Sequence, residues 1–178
     1  KPHFAIVGLW CVLILSFIIF VVPILAKKGP FKELLVVYEA VQSTGKVHIV
    51  NVSELYHWGA NGTTTSLSVN AVWKSIPTEP KDAPLDIAPT VLSAYPSVFT
   101  KDRLIISVSY GYDIGISTFW KSNFASRTPT EWVEILAKQW FEEGDEEQAV
   151  AFIMEAIETQ KDTLDETNPI IPKSLEKY

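Results

Sequence analysis

The sequence predicts an α/β domain behind one transmembrane helix: a small mixed sheet with helices packed on it. Three observations carry that reading. An uncharged apolar run opens the chain, strand-like and helix-like stretches alternate after it, and two well-capped helices follow.

The apolar run is Phe4–Ala26, 23 residues without a charged side chain. At a helical rise of about 1.5 Å per residue it matches a bilayer core of about 30 Å. A cleaved signal peptide is the rival reading, but its apolar core spans only about 7–15 residues. The stretch "PILAKKG" is also a poor cleavage site. The expected organisation is an anchor with its flanks at 1–28, an α/β domain at 29–160 and an extended or disordered arm at 161–178.

Within the domain, Leu34, Leu35, Tyr38 and either Val41 or Gln42 give Phe31–Ser43 helical spacing, and Gly45 breaks it. "KVHIVNV" reads as a strand. "SELYHWGANGTTTS" reads as a loop in which Trp58, beside His57, is a candidate contact for a partner. From Thr64 to Ile76 the residues Val69, Val72, Trp73 and Ile76 recur at i, i+3, i+4 and i+7, which predicts a helix. The prolines of "PTEPKDAP" make a connector. "PTVLSAYPS" then predicts a short strand, paired in a hairpin with "RLIISVSYG" across a charged turn.

Thr128, Pro129 and Glu131 are a helix start: N-cap, first-turn proline and capping-box glutamate. Trp132, Ile135, Leu136 and Trp140 form the buried stripe of that helix, and Gly144 ends it. Asp145 caps the next helix, whose apolar face is Ala149, Val150, Ile153, Ala156 and Ile157. In the tail, Pro169, Ile170 and Ile171 are apolar enough to lie across a partner.

Charge and chemistry narrow the function. Residues 27–130 carry 10 basic and 8 acidic side chains, and residues 131–178 carry 4 and 13. No basic stripe is present, so nucleic acid is not an expected partner. The one cysteine, Cys11, lies in the apolar run, which leaves the domain no thiol for a disulfide, a metal or a nucleophile. The domain has only His48 and His57, and no GxSxG, HExxH, P-loop or EF-hand motif. Carboxylates remain. Asp82, Asp86 and Asp113 are candidate ligands for a hard cation such as calcium, which takes six to eight oxygens. Asp102 and Asp113 stand at opposite ends of one expected strand, about 30 Å apart, so they cannot share an ion. Gly111 is expected to permit a turn and not to build an active site.

The stretches "LLVVYEAVQSTGKVHIVNVSEL", "KDRLIISVSYGYD" and "ILAKQWFEEGDEEQAVAFIMEAI", in this order, resemble the TPM-domain family over residues 31–160. The long connector Pro77–Pro89 departs from that pattern, as does an anchor that precedes the domain. The resemblance implies service to a membrane complex, with calcium binding in some members and phosphatase activity proposed for others. It also implies an extracytosolic domain, whereas Lys27, Lys28 and Lys32 after the apolar run favour the cytoplasm; we follow the family.

The expected function is therefore a non-catalytic, membrane-anchored accessory subunit. Its partners would be the subunits of a larger membrane complex and the bilayer around Phe4–Ala26. The alternative is a metal-assisted phosphatase or other hydrolase on the same anchor, with Asp82, Asp86 and Asp113 holding the ion.

Overall fold

A computed structural model describes residues 31–60, 62–113 and 118–163. The apolar run Phe4–Ala26 and the arm bearing Pro169, Ile170 and Ile171 lie outside the described residues. The elements are α1 (Lys32–Ser43), β1 (Val47–Gly59), β2 (Gly62–Trp73), α2 (Ala88–Ala94), a 3-10 turn (Pro96–Thr100), β3 (Arg103–Asp113), β4 (Thr118–Arg127), α3 (Pro129–Glu143) and α4 (Glu146–Thr163).

The strands lie in the order β1-β2-β3-β4. β1 and β2 pair antiparallel, β2 and β3 parallel, and β3 and β4 antiparallel. The sheet is thus two hairpins set side by side. Parallel neighbours need a long return connection, and residues 74–102 supply it through the connector, α2 and the 3-10 turn.

Alternation along the strands separates two faces. Leu67, Val69 and Ala71 of β2 stand beside Leu104, Ile106 and Val108 of β3 in register, all buried. They join Val37 and Val41 of α1, Val91 and Leu92 of α2, Trp132 and Leu136 of α3, and Phe152 and Ile153 of α4 in one core. A bulge at His48 in β1 keeps this phase. Val47 opposite Trp73 and Val50 opposite Ala71 are buried, while Ile49 between them is exposed. The result is a two-layer α/β domain.

The helix punctuation follows the sequence closely. Thr128 Oγ1 accepts from the Glu131 N–H (3.1 Å), and Glu131 Oε2 accepts from the Thr128 N–H (2.8 Å). Gly144 ends α3 in the left-handed conformation (φ 83°), and Gly45 adopts it after α1 (φ 72°). Asp145 Oδ1 accepts from the Gln148 N–H (3.2 Å) at the start of α4. α4 runs to Thr163, past the expected domain end at 160. Val150, expected on its apolar face, is exposed, and Phe152 takes that place in the core.

Further expectations are overturned. Gly111 does not stand at a turn but lies inside β3, paired with Trp120. Thr64–Ile76 is not a helix, since Gly62–Trp73 forms β2. There Leu67, Val69, Ala71 and Trp73 alternate into the core, and the threonines and β-branched residues suit a strand. The expected loop "SELYHWGANGTTTS" is the far half of β1 and the near half of β2, with Gly59 paired to Gly62. The expected strand "PTVLSAYPS" is α2 followed by the 3-10 turn, so β3 makes its hairpin with β4.

Candidate interaction surface

All the described helices pack on one face of the sheet, and among the described residues no element covers the other face. Its centre is polar: the Ser109 and Ser122 hydroxyls meet at 2.7 Å, and Asn70 Nδ2 donates to Ser68 Oγ (3.3 Å). Its margins are apolar. Ile49 and Leu55 are exposed on β1, and Trp120 and Phe124 on β4, with Phe124 69% accessible.

β4 inverts the usual polarity of an edge strand. Two of its three large apolar groups, Trp120 and Phe124, face out, while Asn123 stands with Phe119 on the other side. Asn123 is satisfied there, since Nδ2 donates to the Pro80 carbonyl (2.6 Å) and to the Tyr110 hydroxyl (3.2 Å). An exposed edge strand with outward aromatics is a liability for an unpartnered domain.

A second exposed feature is the tip of the β1–β2 hairpin. β3 pairs with β2 only from Ser66 onward, so the pairs from Tyr56–Thr65 to Gly59–Gly62 project as a two-stranded ribbon. Trp58 on this ribbon is 76% accessible, and its ring stacks on Tyr56 (centroids 6.5 Å apart, planes at 21°).

Residues 101 and 102 clamp the ribbon's root on both strands. Asp102 Oδ2 accepts from the Thr65 N–H (2.6 Å), and the Asp102 N–H donates back to the Thr65 carbonyl (2.9 Å). Lys101 Nζ lies 2.9 Å from Glu54 Oε1, with side chains 13% and 22% accessible. Glu54 also accepts from the Tyr56 hydroxyl (2.6 Å) and from the Tyr95 hydroxyl.

Burial alone would raise the Glu54 carboxyl. The two tyrosine hydrogen bonds and the Lys101 ammonium outweigh burial and hold it at about 2. The Tyr95 hydroxyl is pushed up by burial and by its bond to Glu54, and the Tyr56 hydroxyl by its bond to the same carboxylate. One ionised carboxylate thus ties the crossover to the ribbon, and through Tyr56 to Trp58. Glu54, Tyr95 and Lys101 were not singled out in the sequence. A lone glutamate at a core-facing position of a strand was the available signal, hidden while 53–66 read as a loop.

The carboxylates expected to hold a cation are only partly together. Asp82 and Asp86 line one cleft of about 770 Å3 with Glu79, Glu143 and Lys46. Asp86 Oδ1 lies 3.6 Å from Lys46 Nζ. Asp113 closes β3 opposite Thr118, and its side chain lies outside the described residues. Among the described residues no three His, Cys, Asp or Glu side chains converge. The carboxylates of this cleft do not come together around one point as a calcium ion requires. Asp102, at the other end of β3, is engaged with Thr65. His48 and His57 are both exposed on β1. The hydroxyl of Thr64, the cross-strand neighbour of His57, donates to the His57 backbone carbonyl (3.5 Å).

The described residues therefore define a class of architecture: a helix-backed four-stranded mixed sheet with one open face and a projecting aromatic ribbon. Comparisons with protein-family models, with curated proteins and with solved structures give no match. Among the described residues no helix is long and apolar enough to cross a membrane.

Proposed function

We propose that the protein is a single-pass, membrane-anchored accessory subunit of the TPM-like kind that docks on a larger membrane assembly and performs no catalysis itself. Phe4–Ala26 is the anchor and the domain stands on the extracytosolic side. The single observation behind the docking role is the outward placement of Trp120 and Phe124 on β4, on the same sheet face that carries Ile49 and Leu55 at the opposite edge. Aromatic side chains there add large contact area while losing few rotamers on binding. Pro169, Ile170 and Ile171 of the C-terminal arm add a further contact in this reading.

The alternative, a metal-assisted hydrolase, is supported by one feature, the cleft shared by Asp82 and Asp86.

A photo-crosslinking amino acid at position 124, in the full chain in its native membrane, tests the docking face. The expected product is a discrete adduct with one membrane-complex subunit, absent when the probe stands at exposed Glu142. Equal, diffuse labelling from both positions would overturn the assignment of this face.

A further inference from the structure

The projecting ribbon lies at the same end of the domain at which the described chain begins. α1 packs on β1 and runs against it. At the far end, the Lys46 carbonyl just after α1 accepts from the Lys74 N–H just after β2 (3.0 Å). At the near end, Glu33 in the first turn of α1 acts electrostatically on Tyr95, which is bonded to Glu54 at the ribbon's root. Phe31, exposed at the start of α1, therefore stands at the ribbon's end of the sheet.

The lengths agree with this placement. From Ala26 to Phe31 are five residue steps, which reach at most about 18 Å even when fully extended. The ribbon projects four residue pairs past the start of the β2–β3 pairing, about 13 Å. A bilayer holding Phe4–Ala26 therefore lies within the ribbon's reach.

We infer that the aromatic tip of the β1–β2 ribbon, Tyr56 and Trp58, seats in the headgroup region of the bilayer that holds Phe4–Ala26. The inference rests on the membrane-anchor reading and adds to it a second point of membrane contact, which fixes how the domain stands on the bilayer. Trp58, which the sequence offers to a protein partner, meets lipid in this arrangement.

The chemistry fits. Trp and Tyr concentrate at membrane interfaces because their rings are apolar while the N–H or O–H needs a polar partner. The ribbon is also preformed: Tyr56 is held by Glu54 and stacks on Trp58, so little freedom is lost on insertion. Because the anchor is covalently attached and close, insertion is intramolecular, and a contact too weak to recruit a free domain is enough to orient a tethered one.

The test uses the full chain carrying Cys11→Ser, with a single nitroxide label at Thr63→Cys or at Glu142→Cys, in phosphatidylcholine vesicles. Thr63 is the cross-strand partner of Trp58. Glu142 lies in the last turn of α3, whose neighbours Gln139 and Glu143 line the cleft at the opposite end with Gly45, Lys46 and Trp73. Accessibility to dissolved oxygen relative to a water-soluble nickel chelate is measured at each label.

The inference predicts a ratio at position 63 several-fold higher than at 142. Adding Trp58→Ala should bring it down towards the value at 142, with an unchanged circular dichroism spectrum. Equal ratios at the two positions, in chains that resist alkaline extraction from the vesicles, would overturn the inference and leave the anchor reading standing. A position 63 shielded from both agents would also overturn it, in favour of contact between copies of the chain. Release of the chain on alkaline extraction would overturn the anchor reading, and the inference with it.

Discussion

Trp132→Ala is expected to lower stability by about 3–5 kcal/mol, a large part of the roughly 5–15 kcal/mol that holds a domain together. Trp132 is fully buried in α3, and its ring fills the space between that helix and the sheet. Its Nε1 also donates to the Leu104 carbonyl (3.0 Å), a backbone acceptor at the start of β3. Truncation leaves a cavity and removes that donor from a buried acceptor. The guanidinium of Arg127, 5.7 Å from the ring centroid, loses its aromatic neighbour as well. Thermal unfolding of the full chain in mild detergent, followed by near-ultraviolet circular dichroism, measures the loss. Trp132→Phe should recover part of it, because the ring volume returns without the donor. A variant that melted with the wild type would show that α3 does not cover the sheet at this point.

The second large effect concerns Glu54. Glu54→Gln removes the charge opposite Lys101 and weakens the acceptor that Tyr56 and Tyr95 share. Its folded value of about 2 against an ordinary 4.5 sets an upper limit of roughly 3 kcal/mol for the carboxylate's contribution. The side chain is partly accessible, so solvent screening brings the expected loss to about 1–2 kcal/mol. The pH dependence has a definite sign. The folded value lies below the unfolded one, so the stabilisation is whole above about pH 4.5 and disappears as pH falls through about 2. The difference in melting temperature between wild type and Glu54→Gln should therefore be largest at neutral pH and shrink towards zero in acid. A difference that grew in acid would contradict the ionised carboxylate.

The helices and the strands of the domain differ in how readable they were. α1, α3 and α4 announce themselves because their signals are local: a capping box at Thr128 and Glu131, left-handed glycines at 45 and 144, and a stripe centred on Trp132 and Leu136. β2 was hidden by coincidence, since Val69, Val72, Trp73 and Ile76 fit a helical period as well as any true helix in the chain. The strand phase Leu67, Val69, Ala71, Trp73 prevails because β1 and β3 lie on either side of it, and that is non-local information. The Asn61-Gly62 pair between two β-rich stretches was the one local cue to the β1–β2 hairpin.

β4 gave no readable pattern for a different reason. A strand is recognised by apolar residues facing the core, and β4 puts Trp120 and Phe124 on the open face and Asn123 on the covered one. The residues that made β4 illegible are those that make the open face a candidate docking surface. The Glu54 cluster was illegible too, because its members lie 41 residues apart along the chain from Glu54 to Tyr95 and meet only through the crossover. By contrast, the opening helix–glycine–strand sequence and the separation of Asp102 from Asp113 along one strand were correct from residue order alone.

The most direct test of the docking role is mild-detergent extraction of the native membrane, followed by a native gel and mass spectrometry of what migrates with the chain. Co-migration with one large membrane assembly is expected, and it should be lost when Trp120 and Phe124 are both changed to Ser. A chain that migrates as a free monomer under conditions that keep other membrane complexes intact would contradict it.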